Sequence, residues 1–390
     1  MVKKRDPAAG AAGKTGSAGG LPELARRFAY LPARAALVLA LSCGPLAAQT
    51  VTQNAVAPKN VVQEHTLQVG DEKRTYLLSR PQGVAGPRPT IIALHGAAQT
   101  SQSFMGYFGL EPTAVREGLV VAYPQGIGRV WDDSRPAAMR LKAALRPGED
   151  APYLLMLAQS LVAEGIADPS RIYLVGISNG GFMVERMACE HAEVFAAYAV
   201  IMATAPANTR ETCRPARAVP IMFIHGTADP VIGWDGFWTP LGATLSAPDS
   251  AQLYAKANGC GAAQVTQLPD VAPLDGTRVS VRRWEGCRDN AEVALFRVDR
   301  GGHQPPAQVE TTGELAQPFL GLRSQDIDSG QEIWAFFSRF ALPSPAGAVV
   351  PLGAVVSPSS PGGRALAGVP LPQPSPVKSS QGVRPAVRQQ

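Results

Sequence analysis

Four short runs, at residues 90–94, 119–123, 172–175 and 221–224, are apolar on nearly consecutive positions. A strand covered on both faces of a sheet needs this pattern, whereas a strand with one wet face would alternate. Ahead of them, residues 64–69 and 75–79 flank Gly70-Asp71 and predict a hairpin. Helical patterns fall between the runs. Asp150 is placed to cap a helix that carries Pro152 in its first turn and Leu154, Leu157 and Leu161 on one face. Asp328 and Gln331 are spaced as a capping box, and Ile333, Phe336, Phe337 and Phe340 follow at i, i+3, i+4 and i+7. Strands alternating with helices predict an α/β protein whose mostly parallel central sheet is covered by helices on both faces. One domain over residues 55–342 accounts for the pattern.

Both ends of the 390-residue chain depart from it. Beyond residue 340 there are ten prolines and no aromatic residue, too little side chain to offset the entropy of ordering, so residues 343–390 are expected to form a disordered tail. At the other end, seven Lys and Arg precede the apolar run 35–41, and the small residues Ala47 and Ala48 follow it. Residues 1–48 therefore read as an export signal cleaved near Ala48. Arg26-Arg27 also permits the twin-arginine route. The apolar run is too short to span a membrane, and no other segment offers about 18 continuous apolar residues. The expectation is a secreted protein, extracellular or periplasmic, monomeric and without a membrane span.

Charge divides in the same way. The net +5 resides in the ends, which carry +5 over residues 1–50 and +4 over 341–390, leaving −4 on the 290 residues between. A mildly acidic folded region offers no footprint for nucleic acid. If Cys43 is discarded with the signal, Cys189, Cys213, Cys260 and Cys287 remain, an even number in an oxidising compartment. Three pairings are open, as are four buried thiols. Joining Cys189 to Cys213 and Cys260 to Cys287 closes the shortest loops and is the expectation. No Cys-x-x-Cys and no close pair of histidines is present, so neither a metal nor another cofactor is expected.

Gly176-Ile177-Ser178-Asn179-Gly180 has the G-x-S-x-G form of a nucleophile elbow, a strained strand-to-helix turn that lifts a serine above the sheet edge. The run 172–175 ends at the motif and residues 181–188 read as a helix, which is the context an elbow requires. A serine hydroxyl is a poor nucleophile near neutral pH and needs a base within hydrogen-bond reach, oriented in turn by an acid. The chain order for such an elbow is serine, acid, histidine. Among histidines 65, 95, 191, 225 and 303 this order selects His303, in the loop Arg300-Gly301-Gly302-His303 after the strand-like run 293–298. Asp229, a tight turn beyond the run 221–224, is the expected acid, with Asp235 the alternative. The N–H groups of Asn179 and Ala97 are the expected oxyanion donors, Gly96 allowing the second to turn inward.

Five segments jointly resemble the secreted poly(3-hydroxybutyrate) depolymerase and feruloyl/acetylxylan esterase family, LpqC-like lipoproteins included. They begin at Leu94-His95-Gly96-Ala97, Tyr123-Pro124-Gln125-Gly126, Gly176-Ile177-Ser178-Asn179, His225-Gly226-Thr227-Ala228-Asp229 and Asp326-Ile327-Asp328-Ser329. The resemblance implies an α/β-hydrolase fold and ester hydrolysis through an acyl-enzyme. It also implies a triad of Ser178, Asp229 and His303, oxyanion donors at Ala97 and Asn179, and local pairing of the four cysteines. Gln304-Pro305-Pro306 follows His303 where the family usually has an aromatic residue, a departure that bears on substrate preference.

About 20 residues separate the strand-like run 197–201 from that at 221–224, too few for a cap domain. An open cleft follows, with Trp131, Trp234 and Trp238 as candidate substrate-binding rings and a polymeric or aromatic ester as the expected partner. A serine peptidase or acyltransferase on the same fold, and a non-catalytic secreted binding module, are the competing classes.

Overall fold

The computed structural model describes residues 59–133, 135, 150–239, 242–308 and 317–343. The export signal read over 1–48 and all but the first residue of the tail read over 343–390 lie outside them. Asn60–Val69 (β1) and Glu72–Pro81 (β2) form the predicted hairpin about Gly70-Asp71, in antiparallel register from Asn60 opposite Pro81 to Val69 opposite Glu72. The apolar runs become Arg88–Leu94 (β3), Val120–Pro124 (β4), Ala167–Ile177 (β5), Ala197–Ile201 (β6) and Ile221–Gly226 (β7). After a two-residue pair, Trp238–Thr239 (β8) with Gly242–Ala243 (β9), come Ala263–Gln267 (β10), Arg278–Trp284 (β11) and Val293–Asp299 (β12). Among the described residues the main sheet has ten strands in the order β1-β2-β4-β3-β5-β6-β7-β12-β11-β10. From β4 to β12 the neighbours are parallel, and the strands outside them pair antiparallel. The edge pair β10 and β11 went unforeseen because β10 is exposed along its whole length and so lacks an apolar pattern.

Successive residues of the central strands point to opposite faces, and each face has its own helices. Ile92, Leu94, Leu174, Val200 and Phe223 pack against Asp150–Ala163 (α3), Asn179–Glu190 (α4) and Ala247–Ala257 (α6) through Leu154, Leu157, Phe182, Met183 and Tyr254. On the other face Ile91, Ala93, Tyr173, Val175 and Ile224 meet Ser101–Phe108 (α1), Glu111–Glu117 (α2) and Ser329–Phe337 (α8) through Phe104, Phe108, Ala114, Ile333 and Phe337. Each such Leu, Ile or Phe contributes about 1.5–3 kcal/mol by leaving water. Asp328 caps α8 as predicted, accepting the Gln331 N–H at 2.9 Å. Asp150 is the first residue of α3, and its buried carboxylate accepts from Arg74 at 2.7 Å and from the Asp132 N–H at 2.8 Å.

Between β6 and β7 the chain forms one helix of four residues, Thr209–Thr212 (α5), and builds no cap domain. Gln317–Leu320 (α7) precedes α8 near the end.

The cysteines pair locally, Cys189 with Cys213 and Cys260 with Cys287, across separations of 24 and 27 residues. Loops of this length predict about 3 kcal/mol of stabilisation per bridge through restriction of the unfolded chain. Replacing Cys189 and Cys213 together by serine should lower the unfolding free energy in urea by about that amount. A loss below about 0.5 kcal/mol would mean that the unfolded chain gains almost no freedom without the bridge.

Candidate active site

Because the central strands are parallel, their carboxyl ends share one edge, and β3, β5, β7 and β12 deliver His95, Ser178, Asp229 and His303 there within four residues of their last positions. Ser178 sits between β5 and α4 at φ +54° and ψ −120°, a region an L residue occupies only when its surroundings hold it. Two contacts hold it. Its N–H donates to the Ile201 carbonyl at 2.8 Å, and its carbonyl accepts from the Phe182 N–H at 3.1 Å. The glycines of the motif are steric necessities. A Cβ on Gly176 would run into the Gly180 carbonyl, and one on Gly180 into the carbonyls of Leu94 and His95.

The His303 Nδ1–H donates to Asp229 Oδ2 at 2.7 Å, while Asp229 Oδ1 accepts the N–H groups of Val231 and Ile232, both at 2.8 Å. Asp229 is thus a buried carboxylate with both oxygens occupied, and the imidazole keeps Nε2 available as an acceptor. Main-chain bonds bind the two loops together: Thr227 N–H to the Val298 carbonyl, Ala228 N–H to the Gly301 carbonyl, each at 2.9 Å. His225 lies 3.7 Å from the same Asp229 oxygen, but its Nε2–H is used by the Ile232 carbonyl at 2.8 Å, and burial lowers its pKa. Asp235 is exposed on the loop beyond, and no bond joins it to His303.

Gly96 places the second oxyanion candidate. A Cβ built there would stand 3.5 Å from Ser178 Cβ, so the loop carrying Ala97 runs beside the serine. Asn179 opens α4, where the first N–H groups have no partner within the helix and face an anion favourably. His95 is buried, and the loss of hydration lowers its pKa to about 4, so it is neutral at physiological pH. Its Nδ1–H donates to the Gly96 carbonyl at 2.7 Å and its Nε2 accepts the Gly126 N–H at 3.0 Å.

Residues 74–236 match the family model described as Esterase PHB depolymerase. The matched residues, fewer than half of the chain, include Ser178 and Asp229 and stop short of His303. The protein NocK of Nocardia uniformis subsp. tsuyamanensis is 26% identical over 66% of this chain and 77% of its own length. Feruloyl esterase B of Piromyces equi is 24% identical over 63% of this chain, which spans 45% of that relative. The solved acetyl xylan esterase of Aspergillus awamori shares 15% identity at a TM-score of 0.45, over 71% of this chain and 99% of the other. The family model and these relatives alike are named for esterases.

Trp131 and Trp234, two of the three expected substrate-binding rings, are not exposed. Trp131 is fully buried, its ring tilted over His95 at 4.9 Å and its indole N–H donating to the His95 carbonyl at 2.9 Å, so it is packed into the core where a substrate ring was expected. Trp234 is half-buried, edge-on to His225 at 6.0 Å and beneath Arg297. It lines a cavity of about 230 Å³ with Pro248, Val265, Arg282 and Leu295, to which none of Ser178, Asp229 or His303 contributes. Trp238 begins β8, and its side chain lies outside the described residues.

Three residues within the matched span escaped the sequence reading as site residues: Gln125, Asp133 and Glu185. Gln125 Nε2 meets His95 Nε2 at 3.0 Å, and Asp133 accepts from the Asn179 side chain at 2.6 Å. Glu185, on α4, is fully buried, and neither carboxylate oxygen has a hydrogen-bond partner among the described residues. Burial raises its pKa well above the usual carboxyl value, offset in part by Arg135 and reinforced by Asp133. The folded state therefore holds a proton that the unfolded chain releases. The stability this confers is complete below the unfolded pKa and is lost as pH rises through the folded one. Glu185→Gln should consequently raise Tm at pH 8 relative to the parent and give little or no gain at pH 4. An equal shift at both pH values would show that Glu185 does not titrate on unfolding.

Proposed function

We propose that this protein is a secreted serine carboxylic ester hydrolase with Ser178 as nucleophile, His303 as general base and Asp229 as the acid that orients it. The observation that carries the reading is the 2.7 Å bond from His303 Nδ1 to a buried Asp229, at the sheet edge where Ser178 stands at positive φ. That bond fixes the tautomer, leaving Nε2 to take the Ser178 proton as Oγ adds to the ester carbonyl. The oxyanion is met by the N–H groups of Ala97 and Asn179. His303 returns the proton to the departing alcohol, and an acyl group remains on Ser178. Water, deprotonated in turn by His303, releases the acid and restores the serine. A polymeric or aromatic ester is supported by the names of the relatives, feruloyl and acetylxylan esterases, and by the absence of a cap domain between β6 and β7. Export is supported by the basic and apolar pattern of the first 48 residues and by the two disulfides.

Ser178→Ala and His303→Ala should each lower kcat/KM on p-nitrophenyl acetate by about 10⁴-fold or more while the protein stays folded. A fluorophosphonate should label the parent and leave Ser178→Ala unmodified. Labelling of another serine, or an active His303→Ala beside an inactive, folded His225→Ala, would overturn the assignment.

A further inference from the structure

The two oxyanion donors belong to different elements, Ala97 to the loop after β3 and Asn179 to the start of α4, and among the described residues one loop grips both sides. We propose that the loop 125–133 is a bracket that sets their separation, with the Trp131 indole and the Asn179 carboxamide as positioning groups; the inference rests on the serine-hydrolase reading of the site.

On the Asn179 side the grip is a saturated carboxamide. Its Oδ1 accepts the Trp131 N–H at 2.7 Å, and its Nδ2 donates to the Trp131 carbonyl at 3.1 Å and to Asp133 Oδ2 at 2.6 Å. An oxyanion donor uses only the backbone, so any side chain would serve at position 179 if the N–H were all that mattered. On the Ala97 side the same tryptophan reaches back through its indole to the His95 carbonyl at 2.9 Å. Gly126 N–H to His95 Nε2 at 3.0 Å and Ala98 N–H to the Arg129 carbonyl at 2.8 Å complete that grip. Trp131 therefore joins the two sides directly: main chain to Asn179, side chain to the residue two before Ala97.

A bracket must itself be immobile, and this one is fixed from beneath. Arg74 donates to the Gln125 carbonyl at 3.3 Å and pairs with Asp150, whose other oxygen accepts the Asp132 N–H at 2.8 Å. Gln125 Oε1 accepts the Ser101 N–H at 2.9 Å. Asp133 is buried and held by Arg135 at 2.6 Å, and the guanidinium lies 3.7 Å over the Phe182 ring on α4. Every end of the loop is thus tied to the sheet or to the elbow helix, and the burial of Trp131 follows from this duty.

Two variants separate positioning from packing. Trp131→Phe keeps an apolar ring and removes the indole donor; Asn179→Ala keeps the backbone N–H and removes the three side-chain bonds. A displaced donor is worth about 10²-fold in rate. Each variant should therefore lower kcat on p-nitrophenyl acetate by about 10–100-fold with KM little changed. Each should also weaken an aryl trifluoromethyl ketone, whose serine adduct carries the oxyanion, by the same factor. The double variant should be no worse than the poorer single one, because both break one bracket. Folded variants with kcat and inhibitor affinity within threefold of the parent, whatever their Tm, would overturn the proposal. If Trp131→Phe does not fold, Asn179→Ala, an exchange to a better helix former, decides the question alone. An active Ser178→Ala in the same assay would sink the serine reading itself, whereas an inactive one beside fully active bracket variants sinks only the bracket.

Discussion

At Gly176, Gly180 and Gly181 the backbone approaches its neighbours so closely that no side chain fits: Gly176 lies against the Gly180 carbonyl, Gly180 against Leu94 and His95, Gly181 against Ala203. Such close approach holds Ser178 at positive φ. It also brings the end of β3 against the start of α4, so Gly96 comes to rest beside the serine. The strain is supported by two well-filled faces of core, where dozens of buried apolar side chains outweigh the cost of one unfavourable torsion.

Electrostatics then differentiates chemically similar groups. Asp229 and Glu185 are both buried carboxyls, yet the first has its oxygens filled by two N–H groups and an imidazole, and the second has no partner for either oxygen. Burial without a hydrogen-bond partner favours the neutral acid, which is what raises the Glu185 pKa. Among the histidines, His95 and His225 spend their protons on main-chain carbonyls, whereas His303 spends its Nδ1 proton on a carboxylate. That difference suits the last of them to general-base work and the other two to fixing loops.

The central parallel strands, the hairpin, the capped last helix and the nucleophile motif were legible from residue order alone, because each depends on a pattern only a few residues long. Chain order was enough to nominate Ser178, Asp229 and His303, since parallel strands deliver whatever follows them to one edge. The alternation of apolar runs with amphipathic segments likewise determined a layered α/β fold before any distance was known.

Tertiary structure decided matters that depend on which surfaces meet. Trp131 reads as an exposed ring in an apolar-poor loop, and only the arrival of His95 and Asn179 from elsewhere in the chain buries it. The ion pair of Asp150 with Arg74 joins residues 76 apart, which no local pattern announces. Glu185 looks like an ordinary helix-surface acid until the face of α4 that bears it turns inward, and β10 carries no apolar signal because its edge is wet. Local periodicity determines secondary structure because it reflects short-range sterics and one-sided burial. The environment of a single polar or aromatic side chain is set by long-range packing, and that was decided only in three dimensions.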